Sequence, residues 1–513
     1  KKMLRTTITE NGAVRGIAAS DPRITVYRGI PFAAPPVGHL RWRAPQPAYN
    51  WTGVRICDTF GPPSMQEVPG SNPGFYTREF YVAPDTPMSE DCLYLNVWTP
   101  AMTEGEKLPV MVWIFGGGMN VGYTSEMEFD GERIARRGIV LVSVNYRLNA
   151  FGFLAHPQLT REGHEHGEPG TNFGLLDQQA GLRWVQKNIQ YFGGDPNNVT
   201  LFGQSAGGRC VWMHIAAPEE KGLFHRAILQ SAGMGGGITR YPSLNCSEEA
   251  GKQFFIHLGV QTVEEARALP AEKIRDKALT FNAYRWGPVI DEVYLIEEPL
   301  SAVTSGRANN VDLLMGSTLR DPDGFRMGDH VNDFKMRSKK VYGADWEEFL
   351  RLAMIQTSAQ LESYYESPAF STFEIGNAYA AAQWVAHGRH PAYLYRFGPE
   401  IPGDHAGAFH SSDLWFVFET LAKCWRPFTG KHYDLARKMC NYWTNFAKTG
   451  NPNGLDHDGS PMPQWQACDK NGYHVMCFGD VITSDDRPVD DLMRFELERL
   501  KRGAASGKNG GCG

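Results

Sequence analysis

What this sequence lacks narrows what it can be. No apolar run approaches the ~20 residues that a membrane-crossing helix needs; the longest, Leu108 to Phe115 and Gly138 to Val144, are of strand length. Positive charge is not in excess, since 51 Lys and Arg face 57 Asp and Glu for a formal net charge of −6, which argues against a nucleic-acid partner. Nine cysteines are scattered without C-x-x-C spacing, a pattern that points to free thiols rather than to a disulfide framework or a zinc site. Also missing are a phosphate-cradling loop tied to a lysine, a metal-ligand cluster, an internal repeat and a domain linker. Neither metal nor cofactor is therefore expected. Behind Lys1-Lys2-Met3-Leu4-Arg5 there is no apolar h-region, so no signal peptide is expected in this sequence.

What is present is an ordinary globule with ample core, 42% hydrophobic and 21% charged over 513 residues. Leu108 to Phe115 and Ile139 to Val144 are apolar on both faces, as strands covered on both sides of a sheet must be. Apolar residues at helical spacing follow from Gly174 to Phe192, then a strand toward Ser205. Further strands are expected at Arg226 to Ser231, Val311 to Thr318 and Ala392 to Phe397, with helical insertions at Ala344 to Ile355, Phe373 to Ala386 and Tyr433 to Lys448. Strands alternating with helices mean βαβ units and a mostly parallel sheet, an α/β fold. Residues 1–502 read as a single domain. The stretch 503–513, rich in Gly, Ala, Ser and Lys, reads as a disordered tail.

The sequence is organised around Val199-Thr200-Leu201-Phe202-Gly203-Gln204-Ser205-Ala206-Gly207-Gly208. An apolar strand stops at a glycine, turns through Ser205 and enters a helix. In such a Gly-x-Ser-x-Gly turn the flanking glycines let neighbouring backbone pass, and the serine hydroxyl is pushed out at the carboxyl end of the strand. The helix aims its free N–H groups at the same spot, so the Ala206 amide is a candidate oxyanion donor. Phe115-Gly116-Gly117-Gly118-Met119, directly after another buried strand, offers further unhindered amides.

With these stretches, Gly29-Ile30-Pro31-Phe32-Ala33-Ala34-Pro35-Pro36-Val37-Gly38, Ser89-Glu90-Asp91-Cys92-Leu93-Tyr94-Leu95-Asn96-Val97, Asn145-Tyr146-Arg147 and Phe192-Gly193-Gly194-Asp195-Pro196, the chain resembles the type-B carboxylesterase and cholinesterase family. Its character is closest to bacterial esterases of the p-nitrobenzyl kind. The resemblance implies an α/β-hydrolase fold, a large mostly parallel sheet whose helical insertions form the pocket. It implies an oxyanion hole from the amides of Gly117, Gly118 and Ala206. It also implies hydrolysis of small-molecule carboxylic esters through Ser205 and an acyl-enzyme, without a cofactor.

The serine needs a base, and the base an orienting acid. Of fifteen histidines, His410 sits on a loop before an aromatic segment, where the family keeps its catalytic histidine. His405 is its local rival, and His164 and His166 fall in a polar stretch that reads as surface loop. For the acid, the family pattern can be laid on Gly316-Ser317-Thr318-Leu319-Arg320-Asp321-Pro322-Asp323-Gly324 in two registers. Counting from the strand selects Asp321 and aligning on the later glycine selects Asp323; strand geometry favours the first count, so Asp321 is the expected acid.

Departures from the family pattern qualify the reading. Gln204 stands where the family commonly has Glu, and no aromatic-rich choline pocket is evident in Ser71 to Pro87, which argues against a cationic choline-like alcohol. Ser64 replaces the cysteine that would pair with Cys92, leaving Cys57 as a partner only if the register shifts; the lost disulfide favours a cytoplasmic setting over the secretory one suggested by sequons at Asn50, Asn198 and Asn245. Met119 follows the glycine trio where a bulkier aromatic is common. Glu90 and Arg147 read as scaffold ion-pairing residues, and Trp415, Phe416 and Phe418 as core or pocket wall. Two other functions remain open: acyl transfer from the same acyl-enzyme to another acceptor, and a catalytically silent binding protein.

Overall fold

The computed structural model describes residues 3–80, 82, 86–233, 241–321, 326–469, 474–486 and 489–505. Among them an eleven-stranded mixed sheet forms the centre. Seven of its strands run parallel, in the spatial order Val475–Phe478, Ala392–Phe397, Asp312–Thr318, Arg226–Gln230, Gly194–Gln204, Leu108–Ile114 and Val140–Val144. Antiparallel strands close the edges: Ile482–Asp485 on one side, and Tyr94–Thr99, Thr25–Pro31 and Ile17–Ala18 on the other. A separate three-stranded sheet is made of Thr6–Thr9, Gly12–Arg15 and Val54–Ile56.

The parallel strands are apolar on both faces because both are covered. Val110 through Ile114 and Val140 through Val144 are fully buried. The covering helices include Phe173–Asn188, Ala206–Ala216, Thr372–Ala386 and Gly430–Thr449. One large apolar cluster runs through these layers, with Trp113 ringed by Phe129, Phe202 and Phe418 at centroid distances of 5.1, 4.7 and 5.0 Å. A satellite cluster forms where Val331–Tyr342, Trp346–Ala353 and Ser358–Tyr365 meet Asp491–Ala505, with Tyr342 and Phe349 stacked face to face.

Several elements differ from the sequence reading. His164 and His166 lie not in a loop but in the last turn of Pro157–His166, a helix started by Pro157 behind the His156 cap and ended by Gly167 in the left-handed region at φ 68°. The final helix continues through Ala505, past residue 502 where a tail was expected. Seven cysteines, Cys57 and Cys92 included, are free thiols, whereas Cys246 is disulfide-bonded. Glu90 and Arg147 do not pair with each other: Glu90 holds Arg41 at 2.6 Å and Arg147 holds Asp177 at 2.7 Å.

Candidate active site

The strand Gly194–Gln204 delivers its chain to Ser205, which takes φ 56° and ψ −123° before the helix Ala206–Ala216 begins. Such angles are costly for any residue with a Cβ and persist only where the surroundings impose them. Here the Ser205 amide donates to the Gln230 carbonyl on the neighbouring strand at 2.8 Å, and its carbonyl accepts the Arg209 amide at 2.9 Å. Close approach demands glycine on the exit side: a Cβ at Gly207 would overlap the carbonyl oxygen of Ile114.

The glycine loop passes directly beside this turn. A Cβ on Gly116 would lie 3.2 Å from that of Ser205, and Gly117 takes φ 98° with no room for a side chain against the Val121 carbonyl. Among the described residues the amides of Gly117, Gly118 and Ala206 have no acceptor, so three main-chain donors remain free next to the serine. Met119, at φ 64° and 3% exposed, anchors the loop by accepting the Asn149 amide at 2.8 Å.

His410 meets Ser205 on one side and Asp321 on the other. Its Nε2 lies 2.9 Å from Ser205 Oγ, and its Nδ1 makes a short hydrogen bond to Asp321 Oδ1. Asp321 follows the strand Asp312–Thr318 and is held at its second oxygen by Ser231 Oγ at 2.6 Å and the Thr318 amide at 2.8 Å. Asp323, the alternative acid, lies outside the described residues. His405, the rival base, is exposed, as are His164 and His166.

Burial disfavours the His410 imidazolium, but the charge of Asp321 and its hydrogen bond outweigh that penalty, so the pKa is raised above the ordinary histidine value. Beneath lies a second carboxyl that the sequence reading did not single out. Asp413 is fully buried and accepts from Gln230 Nε2 and Tyr395 OH, each at 3.0 Å. Burial pushes its pKa up to about 6, against those two donors and with the nearby Asp321 charge adding to the rise. Ser231 was also missed, because it reads as the last residue of a strand; only its place one residue past Gln230, whose carbonyl holds Ser205, marks it.

Gln204 donates to Ser411 Oγ at 2.9 Å and so ties the serine turn to the histidine loop. The helix Phe75–Phe80 packs on the same loop. Phe75 meets Phe409 edge-on at 4.9 Å and Phe80 stacks on Trp415 at 5.4 Å, so this helix packs its rings on residues that flank His410 in the chain. Glu79, wholly buried, accepts from Arg426 Nε at 2.9 Å, Trp415 Nε1 at 3.2 Å and Trp425 Nε1 at 3.1 Å. Trp415, Phe416 and Phe418 are buried core residues.

Comparison with known proteins places this geometry in company. The profile of the carboxylesterase family matches residues 4–488. The para-nitrobenzyl esterase of Bacillus subtilis (strain 168) is 34% identical over 509 residues, covering 94% of this chain and 96% of that protein. The fumonisin B1 esterase of Sphingopyxis macrogoltabida is 31% identical over 500 residues, covering 93% of this chain and 87% of the relative. Among solved structures, a carboxylesterase of Geobacillus stearothermophilus superposes with a TM-score of 0.77 at 32% identity, covering 96% of this chain and 99% of that one.

Proposed function

Because this chain belongs to the carboxylesterase family and is a carboxylic ester hydrolase, we propose that it works through Ser205, His410 and Asp321 by way of an acyl-enzyme. The observation that carries this reading is the unbroken hydrogen-bond chain from Ser205 Oγ through both nitrogens of His410 to Asp321. Neutral His410 accepts the Ser205 proton at Nε2 as Oγ attacks the ester carbonyl. Asp321 fixes the ring by holding the Nδ1 proton and stabilises the imidazolium that forms. Negative charge develops on the former carbonyl oxygen, where the amides of Gly117, Gly118 and Ala206 donate to it, each worth ~3 kcal/mol in comparable sites. Imidazolium then protonates the departing alcohol. Water, deprotonated by the same histidine, attacks the acyl carbon and returns Ser205 to its starting state.

Small-molecule esters are the substrates of this reading, and no residue in it calls for a metal or cofactor. Among the described residues no helix is long and apolar enough to cross a membrane. The test is Ser205→Ala: kcat on a p-nitrophenyl ester is expected to fall by a factor on the order of 10⁴ to 10⁶, and covalent labelling by a fluorophosphonate to vanish. Retention of a tenth of the activity, or labelling elsewhere, ends the assignment.

A further inference from the structure

One charged side chain on the helix behind Ser205 has no part in the steps above. Arg209 follows Ser205 by four residues, and its amide donates to the Ser205 carbonyl at 2.9 Å. Residues at that spacing share one face of a helix, and helical side chains lean toward the N-terminus, which here is the end where Ser205 stands. Burial and the Asp321 carboxylate dominate the His410 pKa, and the Arg209 charge weighs on it more weakly, against the imidazolium.

Arg209 is half-buried. Yet among the described residues its guanidinium has neither a hydrogen bond nor an ion pair. Other arginines withdrawn from solvent are matched, Arg41 by Glu90, Arg147 by Asp177, Arg396 by Glu374 and Arg426 by Glu79. A cation taken part-way out of water without a partner costs free energy that an incoming anion recovers. The two acids that flank His410 are held elsewhere: Asp321 by His410, Ser231 and the Thr318 amide, Asp413 through one oxygen by Gln230 and Tyr395, its other oxygen being sealed without a partner among the described residues. Gln204, next to the nucleophile, is neutral. No nitrogen of Arg209 is among the sealed polar atoms left without a partner, so the guanidinium keeps contact with solvent.

We propose that Arg209 receives a carboxylate carried by the substrate, so that this enzyme favours esters bearing a second, ionised acid group a few atoms from the scissile carbonyl. The proposal rests on the reading of Ser205 as nucleophile. A guanidinium presents two parallel N–H donors that match the two oxygens of a carboxylate, a fit an ammonium does not offer. The acid group sits on either the acyl or the alcohol side, and each side has its own substrate pair.

The experiment compares kcat/KM for monomethyl adipate with methyl hexanoate, and for the butyryl ester of γ-hydroxybutyrate with pentyl butyrate, at about pH 8 where aliphatic carboxyls are ionised. The readout is the acidic-to-neutral ratio within one preparation, which cancels differences in folded fraction. Arg209→Met is expected to lower that ratio about ten- to hundredfold in one of the two pairs, Arg209→Lys to lower it less, and added salt to narrow the wild-type ratio. An unchanged ratio in both pairs overturns the proposal, whether both rates fall together, as a packing role or an effect on His410 would give, or neither moves. Failure of the Ser205 reading shows separately, as hydrolysis of the neutral esters that survives Ser205→Ala.

Discussion

His410 is pulled in two directions: burial favours the neutral ring, while the Asp321 carboxylate favours the charged one and prevails. Since a general base acts only when unprotonated, a raised pKa moves the loss of activity to higher pH. The acid limb of kcat/KM for a neutral ester is therefore expected to have its midpoint above about 6.5, the ordinary histidine value. In Asp321→Asn the charge is gone and burial remains, so the midpoint should move below that value while kcat collapses. Rate measurements across pH check both; a wild-type midpoint under the ordinary value contradicts the assignment. Asp413 belongs in the same ledger of charge, because its own ionisation near pH 6 places a second negative group under the histidine as the base becomes active.

At the scale of elements, the site depends on how tightly the helix Ala206–Ala216 seats against the strands that flank Ser205. Gly207 is the pressure point, its missing side chain allowing the backbone to touch the carbonyl of Ile114 at the end of Leu108–Ile114. Gly207→Ala is expected to keep the secondary structure by circular dichroism but to lower kcat/KM on the order of 10²-fold, because it moves the nucleophile relative to both the histidine and the glycine amides. Wild-type kinetics from the alanine variant would show that the turn has slack.

Much of this scaffold is legible in the residues. Leu108 to Phe115 and Ile139 to Val144 announce buried strands because both faces are apolar, and Ala392 to Phe397 has the bounds that the structure gives it. The polar helix Pro157–His166 escapes because two exposed histidines and an acidic face imitate a surface loop. The acid is harder to choose for a different reason: Asp-Pro-Asp-Gly offers two carboxylates two positions apart, and no local pattern chooses between them. The pairing of Glu79 with Arg426 leaves no local signal, since its partners are 347 residues apart.

That pairing matters to the molecule as a whole. With Cys57 and Cys92 free, no covalent tie closes the segment that carries Phe75–Phe80, and Glu79 fastens it instead to the region after the histidine loop. Glu79→Gln leaves Arg426 with Asp404 as its remaining carboxylate partner and is expected to cost about 1–3 kcal/mol of unfolding free energy. Pairing it with Arg426→Met should restore part of that loss, as urea denaturation of the three variants would reveal. A single-variant loss under about 1 kcal/mol is incompatible with the role given to this ion pair.

Ser205 and His410 are 205 residues apart along the polypeptide. A ribosome working at roughly 5–20 residues per second thus makes the hydroxyl ten seconds or more before the proton acceptor proposed for it. Under the proposed mechanism, chains that stop before residue 410 hold no base for Ser205, and a product truncated there is expected to be inert in an esterase assay however well its amino-terminal half has folded. Under that mechanism the wide spacing acts as a timer, withholding reactivity until residue 410 has been joined.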